Sequence, residues 1–411
     1  MEEGTQALPG RLRPGEAWGR IGLIAAAWAG SRLALSFIGW AASLRIPGGR
    51  PAQPWPLSQA PLLFTMWDRY DSQWYLEIAR YGYFGFPVRS HYSPEAFFPL
   101  YPLLIGLGER LTGLPGAVLG VLLSNLFLLL GLILLDRLVA RRLGERVALR
   151  TVLLLLLFPT SFYFSAIYTE ALFLFATVAA FWAADRERWW WAGVAGAAAA
   201  LTRNLGILLV LPLGWLALER YRSGPSLRRA APLLLIPLAF ALWAGFLWLE
   251  SGDALRFVHA EAGWNRHLAA PWVGLATAVD RVVTPPPPAH WPLGVYVSGW
   301  RPQFAPLYST IDGLAALAGL LLPFLGRRWG QPRAWALWAL IGVLVPMSAP
   351  TLHSMTPLAS MSRYLVVLFP VAVTLAQAAE RRPWVEVALF SSLPLVQAFF
   401  FTLFTTWNWI A

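Results

Sequence analysis

The sequence predicts an all-α, polytopic membrane protein. Of its 411 residues, 57% are hydrophobic and only 13% are charged, against about 25% charged in a soluble domain. Apolar runs of helix length recur along the whole chain, which excludes a soluble domain on a single anchor. Mean hydropathy is +0.55. The net charge of +11 would suggest nucleic acid in a soluble chain; here it reads as arginine in cytoplasmic loops, and no nucleic-acid partner is expected. All 32 basic residues are arginine and there is no cysteine, so disulfides and thiolate metal sites are excluded.

Arginine position orients the elements, because cytoplasmic loops are enriched in basic residues. Residues 1–20 form a basic cytoplasmic tail before a first span near 21–42. Arginines cluster again at 137–150, 186–188, 220–229, 327–333 and 381–382, so an even number of spans must separate consecutive clusters. Spans near 21–42 and 115–138 satisfy the first interval if Phe97–Leu111, short and holding Pro99 and Pro102, lies along the membrane instead of crossing it. Further spans are expected near 150–161, 164–184, 190–202, 205–218, 230–249, 304–325, 334–349, 363–379 and 384–408. The total is about eleven, in a single integral-membrane domain covering 1–411.

This parity sets apart an outer face built from two long loops, 43–114 and 250–303, and from the short turns near 161–168, 202–204 and 350–362. The unusual polar residues Asp68, Asp71, Glu170, Arg203, Asn204, His259, Glu261, His353 and Arg363 all fall on it. Loops of this length are functional or disordered, and their aromatic content argues against disorder. Carboxylates at membrane depth are costly and mark function, which singles out Met66–Tyr83.

Each candidate also has a plain structural reading. Asp71 or Asp68 would serve as a helix N-cap, and Glu170 suits the start of the apolar helix that follows it. Arg203, isolated between two short apolar helices, would snorkel to the interface, as would Arg363. Trp74, Tyr75, Tyr83 and Tyr101 suit an interfacial aromatic belt. His91, His259, His267, His290 and His353 are scattered without metal-ligand spacing; no cofactor is expected, and the sequence leaves a divalent metal open.

Asp71-Ser72-Gln73-Trp74-Tyr75 with Ile78-Ala79 and Gly82-Tyr83 resembles the WDxxWYxxIAxxGY signature of PIG-V-like mannosyltransferases of the GT-C superfamily. Phe97–Pro102, Phe158–Ser161 with Tyr168-Thr169-Glu170, Leu201-Thr202-Arg203, and Ser362–Leu365 with Phe369-Pro370 resemble further family segments in the same order. Tyr70 stands where the family has Trp, and Trp67-Asp68 offers a competing WD pair. The spacing to Trp74-Tyr75 and Gly82-Tyr83 favours Asp71, and Asp68 remains the alternative.

The resemblance implies a GT-C fold whose first outer loop forms juxtamembrane helices. It also implies an inverting transfer of mannose from a polyprenyl-phosphate donor to a lipid- or glycan-linked acceptor, at the outer face of the cell membrane. A phosphate leaves without the general acid that an alkoxide needs, so one carboxylate, Asp71 or Asp68, suffices as base. Arg203 and Arg363 are the candidate phosphate ligands, since the guanidinium fork matches phosphate oxygens. Glu170, Trp74, Tyr75, Tyr168 and Tyr364 are candidate substrate contacts. A transferase of another polyprenyl-linked sugar is the nearest alternative. A transporter or flippase is the alternative of another class, and would show two similar halves with broken helices. The transferase reading requires Asp71, Glu170, Arg203 and Arg363 to meet.

Overall fold

The computed structural model describes residues 14–46, 59–85, 93–221, 224–284, 305–352, 354, 356–408 and 410. His91, His290 and His353 lie outside the described residues. Among those described, all regular structure is helical. Helix α1 (Pro14–Arg45) precedes the first long loop, which folds into α2 (Leu62–Thr65), α3 (Ser72–Tyr81) and α4 (Leu100–Thr112). Helix α4 is the expected proline-containing segment. Pro99 and Pro102 sit at its N-terminus, where N–H groups have no helical partner to lose. Gly113 ends it in the left-handed region, φ +71°, the common helix stop.

The chain continues through α5 (Gly116–Leu143), α6 (Glu145–Leu157), α7 (Glu170–Asp185), α8 (Trp189–Ala200), α9 (Val210–Arg220), α10 (Gly224–Leu227) and α11 (Leu235–Ser251). The second long loop holds α12 (Arg256–Ala260) and α13 (Pro271–Val283). Then come α14 (Ala305–Arg328), α15 (Arg333–Met347), α16 (Met361–Val366), α17 (Phe369–Arg381) and α18 (Pro383–Thr405).

Among the described residues, five helical stretches are long and apolar enough to cross a membrane: Trp18–Arg45, Gly116–Leu143, Arg228–Ser251, Pro306–Arg328 and Pro383–Thr405. The polytopic all-α expectation holds. The six other expected spans fall on shorter helices, α6, α7, α8, α9, α15 and the α16–α17 pair, and the length criterion does not count them as crossings. The segment expected at 164–184 begins its α-helix only at Glu170.

Helices α5, α7, α8 and α11 pack in succession, α6 lies on α17, α14 on α15 and α17, and α1 on α18. Their shared core includes Leu128, Leu132, Phe173, Phe181, Trp338 and Phe369. The approach of α8 to the turn that leads into α11 depends on Gly193, where a Cβ would stand 2.1 Å from the Pro232 carbonyl oxygen. Apolar side chains such as Leu33, Phe37, Leu249 and Leu395 point outward, as a lipid-facing surface requires.

The irregular segments gather at one end of the bundle. The α6–α7 connection meets the first long loop through Ile167 N–H and the Trp67 carbonyl (3.4 Å). It meets the α15–α17 region through Thr160 Oγ1 and the Ser362 carbonyl (3.0 Å). The turn after α8 accepts Leu100 N–H on the Leu201 carbonyl (2.9 Å). Non-helical backbone inside a membrane protein needs internal partners. Here Arg32 of α1 donates to the Leu156 and Ser161 carbonyls, Gln397 to Leu156 and Phe158, and Ser124 to Ala166.

Candidate functional site

Asp71 is the residue preceding α3, yet its carboxylate makes no capping bond. It accepts instead from Arg363 Nη1 at 3.0 Å. Its backbone is fixed from several sides. Tyr70 has φ +54°, a left-handed conformation costing a bulky residue on the order of 1 kcal/mol or more, and its ring is held against Phe404 and Trp407. Asp71 N–H donates to Tyr168 Oη (3.1 Å), and that hydroxyl donates to the Arg69 carbonyl (3.0 Å). Arg69 in turn donates to the Thr405 carbonyl (3.0 Å) and lies over Trp407. Helix α18 therefore buttresses the loop that presents Asp71.

Arg363, on α16, joins two carboxylates. Its Nε donates to Glu170 Oε1 at 2.5 Å while Nη1 holds Asp71, and its plane lies 4.5 Å from the Tyr168 ring centre and 4.9 Å from that of Tyr163. Arg203 Nη1 reaches the same Glu170 oxygen at 2.6 Å and Thr169 Oγ1 at 3.4 Å. Gly206 makes the turn carrying Arg203 possible, because a Cβ there would stand 2.2 Å from the Ala199 carbonyl oxygen. Neither arginine merely snorkels. Glu170 is the first residue of α7, completely buried, with both guanidiniums on one oxygen and no hydrogen bond to Oε2. The four residues that had to meet thus form one connected network, with Asp71 its most open member at 20% side-chain exposure.

Asp68 stands outside that network. It is buried, and Gln73 Nε2 donates to its Oδ1 at 2.6 Å. Burial pushes its carboxyl up to about 7, partly offset by the Arg69 charge and the Gln73 bond.

Trp74 stacks on Phe97 (5.7 Å) and meets Trp264 edge-on (6.2 Å). Tyr75 packs edge-on against Phe97 and Tyr101, its hydroxyl 3.5 Å from Thr169 Oγ1. Both are enclosed, as is Tyr168. Tyr364 is partly open, and its ring lies 5.4 Å from the Arg203 guanidinium and 5.8 Å from that of Arg266. Among the described residues no three His, Asp or Glu side chains gather as metal ligands would.

Three charged residues here drew no role from the sequence. Arg32 fastens the α6–α7 connection from within α1. Asp312 of α14 accepts Ser362 N–H at 3.0 Å, beside Arg363. Both are charges inside apolar spans, the signal already used for Asp71. Arg266 had no comparable signal, being one arginine in a long loop.

Comparison of the sequence with known proteins agrees with the motif reading. A 153-residue stretch, 35% of this chain, is 34% identical to the GPI alpha-1,6-mannosyltransferase 2 of Rattus norvegicus and spans 30% of that protein's length. Among solved structures, the apo ArnT of Cupriavidus metallidurans aligns with a TM-score of 0.46 at 16% identity, over 93% of this chain and 76% of its own. The apo oligosaccharyltransferase of Archaeoglobus fulgidus aligns with a TM-score of 0.44 at 12% identity, over 92% of this chain and 56% of its own. Over residues 59–247, which hold Asp71, Glu170 and Arg203 but not Arg363, the chain matches the mannosyltransferase (PIG-V) family.

Proposed function

We propose that this chain works as one integral-membrane unit with a GT-C arrangement, and that it transfers mannose with inversion from a polyprenyl-phosphate donor to a hydroxyl of a lipid- or glycan-linked acceptor. The site lies at the outer face of the cell membrane. The observation that carries this reading is the convergence of Asp71, Glu170, Arg203 and Arg363 in one ion network. The four come from segments far apart in sequence, and three of them fall within the family match.

In this reading Asp71 is the general base. It is the open carboxylate of the network and takes the acceptor hydroxyl proton. The acceptor oxygen then attacks the anomeric carbon, and the bond from that carbon to the phosphate oxygen breaks. The electron pair leaves on the phosphate, where Arg203 and Arg363 stabilise the developing charge. Glu170 holds both arginines in place and lies near the sugar or acceptor, with Tyr364 on the substrate side and Trp74, Tyr75 and Tyr168 shaping the wall. Asp68, enclosed and outside the ion network, has the weaker claim to the base.

The test is transfer of labelled mannose by the purified protein in lipid nanodiscs, from polyprenyl-phosphate mannose and, separately, from a nucleotide-linked mannose. Product only with the lipid-linked donor supports the reading. Product only with the nucleotide donor overturns the donor assignment. No product from either, with several lipid-linked acceptors supplied, overturns the activity.

A further inference from the structure

The second long loop places one more guanidinium beside this network. Arg266 follows Asn265, whose left-handed backbone (φ +55°) turns the chain after Trp264. Residues 267 and 269 then pair with the loop before α16, through His267 N–H to the Pro350 carbonyl (3.3 Å) and Ala269 N–H to that of Ser348 (2.9 Å). Two N–H groups of Arg266 are committed, Nη1 to the Ala349 carbonyl (3.1 Å) and Nη2 to the Ala359 carbonyl (3.2 Å). These bonds fix the plane of the guanidinium without neutralising its charge.

Its Nε faces Glu261 Oε2 at 3.5 Å, beyond hydrogen-bond distance. Glu261 is one-third exposed, while Arg266 is 15% exposed. Arg266 and Arg203 both lie against the Tyr364 ring. Arg203 spends only Nη1, on Glu170 and Thr169, and among the described residues its Nε and Nη2 make no hydrogen bond. Two guanidiniums with uncommitted N–H groups therefore share one tyrosine, next to Arg363. Asp71 lies close enough for its charge to act on both Arg266 and Glu261.

A clasp between loops would need only the two carbonyl bonds, which a neutral donor can make. A nearly buried cation with a distant, half-open carboxylate is costly to hold, and its fixed, part-free edge suits an incoming oxyanion. We propose that Arg266 is a phosphate-binding residue of this site, acting with Arg203 across Tyr364, and that Glu261 occupies its free edge until the donor phosphate displaces it. The proposal rests on the transferase reading for its ligand. It assigns the second loop, and not only the first, to donor recognition.

The experiment uses the full chain in nanodiscs with two readouts, donor and acceptor KM, and the rise in melting temperature on adding polyprenyl phosphate. Inorganic phosphate at equal concentration separates a lipid phosphate site from a general anion site. R266K keeps the charge but loses the planar grip. It should raise donor KM about tenfold, the worth of one charge-assisted hydrogen bond, leave acceptor KM within about twofold, and blunt the response to polyprenyl phosphate.

E261Q removes the competitor and should act in the opposite direction, lowering donor KM about threefold, the scale of a loose ion pair. A clasp that is only structural predicts instead that both variants lower the unliganded melting temperature and leave the ratio of donor to acceptor KM unchanged. That pattern overturns the proposal, as does an E261Q protein that uses donor less well. If R266K fails to fold, the sign of the E261Q effect decides alone. If the wild type transfers no sugar yet responds to polyprenyl phosphate through Arg266, the phosphate site stands and the transferase reading falls.

Discussion

The two ends of the bundle treat charge in opposite ways. At the arginine-rich end, pairs such as Arg141 with Asp185 (3.0 Å), Arg150 with Glu386 (2.9 Å) and Arg220 with Glu187 leave at least one partner substantially exposed. At the other end, Glu170 is completely buried and Arg363 nearly so, with two guanidiniums on a single carboxylate oxygen. Exposed pairs contribute about 0–1 kcal/mol each, so they add little to stability. Buried charges cost several kcal/mol to desolvate. Close geometry offsets that cost without making the arrangement better than an apolar core. The first end explains how the chain sits in a membrane, and the second asks for a function.

The largest effect that would break this contrast is on turnover. Asp71→Asn keeps the shape of the side chain but cannot accept a proton, so transfer should fall by about 10²–10⁴-fold, with expression and melting temperature retained. Asp185→Asn at the other end should leave transfer within about twofold; equal losses in both variants would erase the distinction between the ends. Next comes stability. Glu170→Gln strips the anionic partner from two guanidiniums and should cost about 3–5 kcal/mol, read as a large drop in melting temperature. Glu386→Gln, which breaks the Arg150 pair, should change it by no more than a surface pair does.

A smaller effect separates grip from charge. Arg203→Lys should raise donor KM and lower turnover by about tenfold together, because charge-assisted bonds to phosphate strengthen as the leaving group departs. Unchanged donor dependence would return Arg203 to a purely structural role. Asp68 gives the clearest pH signature. Its folded-state value, about 7, lies above the unfolded value near 3.9, so between these limits the fold holds a proton that the unfolded chain has lost. Stability should therefore decline as pH rises from about 4 to about 7, and level off above. Asp68→Asn still accepts the Gln73 hydrogen bond and stays neutral, so it should flatten that slope and gain up to about 4 kcal/mol at pH 8, about 1.4 kcal/mol for each of roughly three units. Thermal denaturation across pH checks this. Loss of transfer in Asp68→Asn would move the base from Asp71 to Asp68.

The helices were legible in the sequence because apolar length and arginine position are local signals. Each expected span coincides with a helix, and Phe97–Leu111 became α4 as its prolines suggested. The site was half legible. Asp71, Glu170, Arg203 and Arg363 stood out as charges where apolar surroundings do not call for them. What they do to one another depends on pairs 193 and 292 residues apart, and no spacing rule reaches that far. Capping, the local explanation of Asp71, failed because a guanidinium from α16 claims the carboxylate. Asp312 and Arg32 were missed for the opposite reason. Each sits inside a strongly apolar run whose average concealed one costly residue.

The spacing of Glu170's two partners also sets a schedule for biogenesis. The chain is made at roughly 5–20 residues per second. Arg203 is 33 residues downstream of Glu170 and so follows it within about 2–7 s at that rate. Arg363 is 193 residues downstream, so it arrives about 10–40 s later. Through that interval α7 carries a carboxylate at its first residue, and Arg203 is the counter-charge that comes first. The partner that Glu170 shares with α8's end is thus made long before the α16 arginine that completes the network.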